Sequence, residues 1–186
     1  MKFPPLAKAV FVVSLIAIAS VIALTWANST KRSRQLRLVP AGLGVKQVVY
    51  AREESRGFGP GGNETGLIIF ELPDHVARNS QQQGIKFLHQ NVSAQVADGG
   101  AGSRVSRNWK ITPVRVEGSD DDTNFTRTYD IGKYLNRYGF GIPIDKEVGR
   151  YIDGALSGQG NFIDDDGRRL IIVMPEAGKL VYAYRG

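Results

Sequence analysis

The sequence predicts an α+β protein: an N-terminal transmembrane helix, then one small domain with a mainly antiparallel sheet and two to three helices. Three observations carry this expectation. An uncharged apolar run spans Ala9 to Ala27. Strand-like segments stand at both ends of the remaining chain. Between them lie two segments whose apolar residues recur at helical spacing. Strands flanking helices in this order favour an antiparallel sheet with the helices gathered on one face.

The run AVFVVSLIAIASVIALTWA holds nineteen residues. At about 1.5 Å per residue it reaches roughly 28 Å, close to the hydrocarbon thickness of a bilayer. Its polar members, Ser14, Ser20 and Thr25, are types that a helix satisfies on its own carbonyls. Residues 1–8, with Lys2 and Lys8, form a basic n-region. The layout suits a signal anchor or a signal peptide. The run exceeds the usual apolar core of a cleaved signal, and Thr25-Trp26-Ala27 is a poor cleavage triplet, so an uncleaved anchor is expected. Basic residues flank both ends, and the positive-inside rule is nearly balanced. Long C-terminal domains translocate despite flanking charge, which places the domain on the extracytoplasmic side of the cell membrane in a single-pass arrangement.

Residues 28–44 are basic and then rich in Gly and Pro, the composition of a linker. Residues 45–186 form the α+β domain. A strand is expected at Val45–Arg52 and another at Leu67–Leu72, joined by a long loop from Glu53 to Thr65. Pro73-Asp74 opens a helix to about Gln83, with Asp74 as its cap. Residues 85–97 fit either strand or helix. Residues 104–117 read as a strand interrupted at Pro113, hence an edge or a bulge. Ile131, Tyr134, Leu135 and Tyr138 fall at i, i+3, i+4 and i+7 behind Asp130. Val148, Tyr151, Ile152 and Ala155 repeat that spacing between Asp145 and Ser157. The C-terminus reads as a three-strand meander with turns at Asp165–Gly167 and Glu176–Gly178.

A net charge of +6 suggests nucleic acid, but its distribution argues otherwise. Six of the 24 Lys and Arg residues lie in the first 37 positions, which hold no acid. The other 18 balance all 18 acids, so no nucleic-acid partner is expected. The basic excess flanks the apolar run and suits anionic lipid headgroups. Cysteine is absent, which excludes disulfides, thiolate metal sites and a cysteine nucleophile.

Several patterns touch on chemistry. Gly57-Phe58-Gly59-Pro60-Gly61-Gly62 fits G-x-G-x-x-G, but a strand rather than a helix is expected to follow, so no helix N-terminus is there for a pyrophosphate. The same glycines, with Arg52, Arg56 and Asn63, are suited to gathering backbone N–H groups around an anion. Arg52, Arg56, Gly59, Gly61, Gly62 and Asn63 are therefore the candidate ligand-binding residues. Asp164–Asp166 and Asp120–Asp122 lack the alternating ligand series of a calcium loop. His75 and His89 belong to no metal-binding or catalytic spacing. No cofactor and no metal are expected. These features describe a membrane-anchored, non-catalytic binding or envelope-associated domain. Its partners are the lipid bilayer, through residues 9–27, and another envelope protein. The alternative is a membrane-anchored hydrolase using a carboxylate with His75 or His89.

Overall fold

The computed structural model describes residues 5–56, 63–93, 108–114, 130–137 and 141–185; within these, side chains are described from Ser14 onward, except those of Arg56, Asn63 and Ser93. The chain divides into two compact units, Met1–Gln35 and Leu36–Gly186.

The first unit is one helix, α1, which runs over Pro5–Leu36 and so ends at the start of the second unit. Its side chains from Ser14 to Arg34 are exposed, with Leu15, Ile16, Ile18, Val21, Ile22, Leu24 and Trp26 among them. The hydroxyls of Ser20, Thr25 and Thr30 donate to the carbonyls of Ile16, Ile22 and Trp26 at 2.8–2.9 Å. Among the described residues no helix is long and apolar enough to cross a membrane. Residues 9–13, the apolar start of the run, lie outside the described side chains.

The expected linker at 28–44 is corrected. Residues 28–36 continue α1. The segment from Lys31 to Leu36 has no Gly or Pro, its residues favour helix, and basic side chains suit the negative end of the helix dipole. The helix breakers begin only at Pro40. From there Ala41–Leu43 form a 3₁₀ turn, ended by Gly44 at φ 59°. Val39 and Leu43 are buried, and Leu36, Leu38 and Val45 pack against the same core. The turn seats closely: a Cβ on Gly42 would collide with the Asn91 carbonyl.

The domain is built on a six-stranded antiparallel sheet. Its strands are β1 (Val48–Arg56), β2 (Asn63–Glu71), β3 (Lys110–Ile111), β4 (Phe162–Asp165), β5 (Arg169–Met174) and β6 (Lys179–Arg185), in the order β1-β2-β6-β5-β4-β3. The N-terminal hairpin joins the C-terminal meander where β2 pairs with β6, Thr65 opposite Arg185 through Glu71 opposite Lys179. β3 is an edge strand ending just before Pro113, as the proline implies.

The helices are α2 (Asp74–Gln83), α3 (Ile85–Ser93), α4 (Ile131–Leu135) and α5 (Lys146–Ser157). They cover both faces of the sheet, not one. On one face Val76, Phe87, Leu88 and Val92 pack with Ile68, Phe70, Phe162, Val173 and Leu180. On the other, Ile131, Leu135, Ile152 and Leu156 pack with Leu67, Ile69, Ile163, Leu170, Ile172 and Val181. The reason lies in the strands: Leu67–Phe70 and Leu170–Met174 are apolar at successive positions, so both faces need cover.

Of the two structures that residues 85–97 allowed, the described part takes one, and the expected cap of α2 changes. Residues 85–93 are helix, presenting Leu88 and Val92 to the core. Asp74 is the first residue of α2, whose cap position is Pro73. Asp130 does cap α4, accepting from the Lys133 N–H at 2.9 Å, and Asp153 of α5 accepts from the Ile131 N–H at 2.8 Å.

Candidate functional site

The hairpin expected to carry the ligand-binding residues is longer in strand and shorter in loop than its sequence implies. β1 reaches Arg56 and β2 starts at Asn63, so the connection is residues 57–62 and not the thirteen or so from Glu53 to Thr65. Polar residues 53–56 pair with 63–66 through their backbones, which side-chain polarity does not prevent. Arg56 and Asn63 are direct cross-strand partners. Gly59, Gly61 and Gly62 lie outside the described residues. Arg52 sits opposite Leu67, and its guanidinium is 4.0 Å from the Asp145 carboxylate, with both side chains more than half exposed. Such a pair is weak. The Tyr50 hydroxyl accepts from the Asp145 N–H at 3.3 Å beside it.

His75 is exposed on α2 and His89 half-buried on α3. Among the described residues neither hydrogen-bonds or ion-pairs with a carboxylate, and no group of acids and histidines is placed to hold a metal ion. The aspartates at 164–166 are used by their own turn. Asp165 accepts from the Gly167 N–H at 2.7 Å, and Asp166 from the N–H groups of Arg168 and Arg169 at 3.0 and 2.7 Å. Asp120–Asp122 lie outside the described residues.

One polar constellation was not anticipated. Glu53 and Tyr184 both stand opposite Gly66, and Arg169 stands opposite Tyr184, so one row crosses β1, β2, β6 and β5. The Tyr184 ring lies over Gly66, and its hydroxyl donates to Glu53 at 2.8 Å. The Tyr182 ring is 5.7 Å from that of Tyr184, and its hydroxyl is hydrogen-bonded by Arg169. Arg169 also pairs with Asp166 at 2.8 Å. Burial alone opposes ionisation of Asp166, but the two N–H donors and the guanidinium outweigh it and hold the carboxyl below its usual range. Burial pushes the Tyr182 phenol up, Arg169 opposing and Asp166 adding to the shift. The carboxylate is thus kept charged and the phenol neutral, the opposite of groups poised to exchange protons near neutrality.

On the opposite face Arg185 is buried. It donates through Nε and Nη2 to the Gly167 carbonyl at 2.9 and 2.7 Å and through Nη1 to the Tyr134 carbonyl at 2.9 Å. Its guanidinium lies 3.9 Å over the Tyr134 ring. Sequence reading placed it at the end of the last strand without a role. The period-two pattern of Lys179–Arg185 was signal enough to put Tyr182 and Tyr184 on one face and Arg185 on the other, though not to name their partners.

No protein family, curated protein or solved structure matches the chain.

Proposed function

We propose that this chain is a single-pass, membrane-anchored, non-catalytic binding protein. Residues 9–27 hold it in the bilayer, and the domain is displayed on the extracytoplasmic side to engage another envelope protein. The observation that carries the reading is α1: its side chains from Ser14 to Arg34 are exposed, seven large apolar ones among them, and the hydroxyls of Ser20, Thr25 and Thr30 are bonded to its own carbonyls. Leaving six aliphatic side chains in water forgoes roughly 10 kcal/mol of burial free energy, which a bilayer supplies. A helix whose polar groups are internally satisfied enters hydrocarbon at little cost.

The non-catalytic reading is supported by the titratable groups. Among the described residues the histidines make no hydrogen bond or ion pair with a carboxylate, and the polar constellation is a set of mutually bound groups. The hairpin tip, with Arg52, Arg56, Gly59, Gly61, Gly62 and Asn63, is the proposed recognition element. Replacing Gly57–Gly62 with Asn-Gly keeps Arg56 opposite Asn63, because a two-residue loop suits that register. The shortened protein is expected to fold, stay with the membrane and fail to complement a deletion strain. Full complementation would remove the tip from the account.

A further inference from the structure

The continuation of α1 beyond its apolar part fixes where the basic residues lie along its axis. Trp26 is 74% exposed at the end of the apolar run. Lys31, Arg32 and Arg34 follow on the same unbroken helix and are exposed. At about 1.5 Å per residue, Lys31 stands roughly 7.5 Å beyond Trp26 and Arg34 roughly 12 Å. At about 100° per residue the three occupy an arc of roughly 160°.

A bilayer has a headgroup band of about 5–8 Å on each side of its hydrocarbon core. Tryptophan favours the boundary between the two. With Trp26 at that boundary, Lys31 and Arg32 reach the level of the phosphates, and Arg34 returns to it through its long side chain. A flexible linker would let these charges drift away, whereas a helix holds them at this depth. We infer that Lys31, Arg32 and Arg34 form a binding face for anionic phospholipid headgroups in the leaflet on the domain's side. The inference rests on the membrane-anchored reading above and adds a lipid preference to it. Cationic side chains near an anionic surface are each worth up to about fivefold in association, and salt screens the effect.

The test uses the full-length chain reconstituted in vesicles of phosphatidylcholine with 20% phosphatidylglycerol. In one preparation the phosphatidylglycerol is brominated; in the other an equal mole fraction of the phosphatidylcholine is. Bromine quenches tryptophan at short range, so Trp26 reports which lipid surrounds it. Trp109, buried in the domain, adds a constant background. The expected result is two- to fivefold stronger quenching by the brominated phosphatidylglycerol. That excess should vanish in 0.5 M salt and in the K31Q/R32Q/R34Q variant. Equal quenching by the two lipids in the unmodified protein, while it stays with the vesicles, overturns the inference and leaves the anchor standing. Failure to sediment with the vesicles overturns both.

Discussion

Gly66 offers a direct perturbation of the row that ties the N-terminal hairpin to the C-terminal meander. Its backbone is not in the left-handed region, so an alanine meets no conformational objection there. The obstacle is Tyr184: the new Cβ would fall on ring atoms Cε1 and Cζ and lie 2.6 Å from the hydroxyl oxygen. The ring must swing aside, breaking its 2.8 Å hydrogen bond to Glu53 and its packing with Tyr182. Overpacking costs about 1–3 kcal/mol and a hydrogen bond to a carboxylate about 1.5–3 kcal/mol, with overlap between the two. Gly66→Ala should therefore destabilise the domain by about 2–4 kcal/mol. With Tyr184→Ala already present the obstacle is gone, and alanine in place of glycine in a strand should gain about 0.5–1 kcal/mol. The coupling between the two sites is then about 3 kcal/mol. The assay is urea unfolding of the full chain in mild detergent, followed by Trp109 emission in a Trp26→Phe background. An equal cost for Gly66→Ala with and without Tyr184 would refute the reasoning.

Asp153 and Asp166 should respond to pH with opposite signs. Burial, with Asp130 adding to it and the Ile131 N–H opposing, raises the Asp153 carboxyl in the fold. Its contribution is therefore fully present below the ordinary aspartate value and is lost as pH rises through the higher folded value. Asp153→Asn, which still accepts from Ile131, should abolish that loss and leave stability at pH 7 unchanged or raised by under about 1 kcal/mol. Asp166 is lowered in the fold, so its contribution is present above the ordinary value and disappears as pH falls towards the folded one. Asp166→Asn should cost about 0.5–1 kcal/mol at pH 7 and nothing at the acid end; denaturation curves from pH 2.5 to 7 check both. Arg185→Lys keeps the charge, but one ammonium cannot serve the Gly167 and Tyr134 carbonyls and stack on the Tyr134 ring. A loss of about 2–3 kcal/mol is expected by the same urea assay, and an unchanged midpoint would contradict it.

Much of the fold was legible because apolar spacing and turn residues agreed. β5 and β6 announce themselves by apolar runs separated by a Gly-containing turn, and α5 by its 3.6-residue period ended at Gly158. The errors arise where polarity and backbone pairing part company. Residues 53–56 and 63–66 are polar yet paired, so a six-residue connection looked like a long loop. Residues 28–44 looked like a linker because their charge and glycines were read together, although the glycines begin only at Gly42. The two-sided cover of the sheet was implicit in Leu67–Phe70, whose continuous apolar run pointed to burial on both faces. The polar row was illegible for a different reason: Glu53 and Tyr184 are 131 residues apart, and their strands meet only through β2, which pairs with both. Of the candidate site, the sequence identified the hairpin, and the register supplied the opposition of Arg56 and Asn63.

The anchor is tested most directly by alkaline extraction of native membranes, followed by intact mass measurement of the protein. The account predicts that the chain stays in the membrane pellet with residues 1–27 still attached. A soluble form beginning near Asn28 would contradict it.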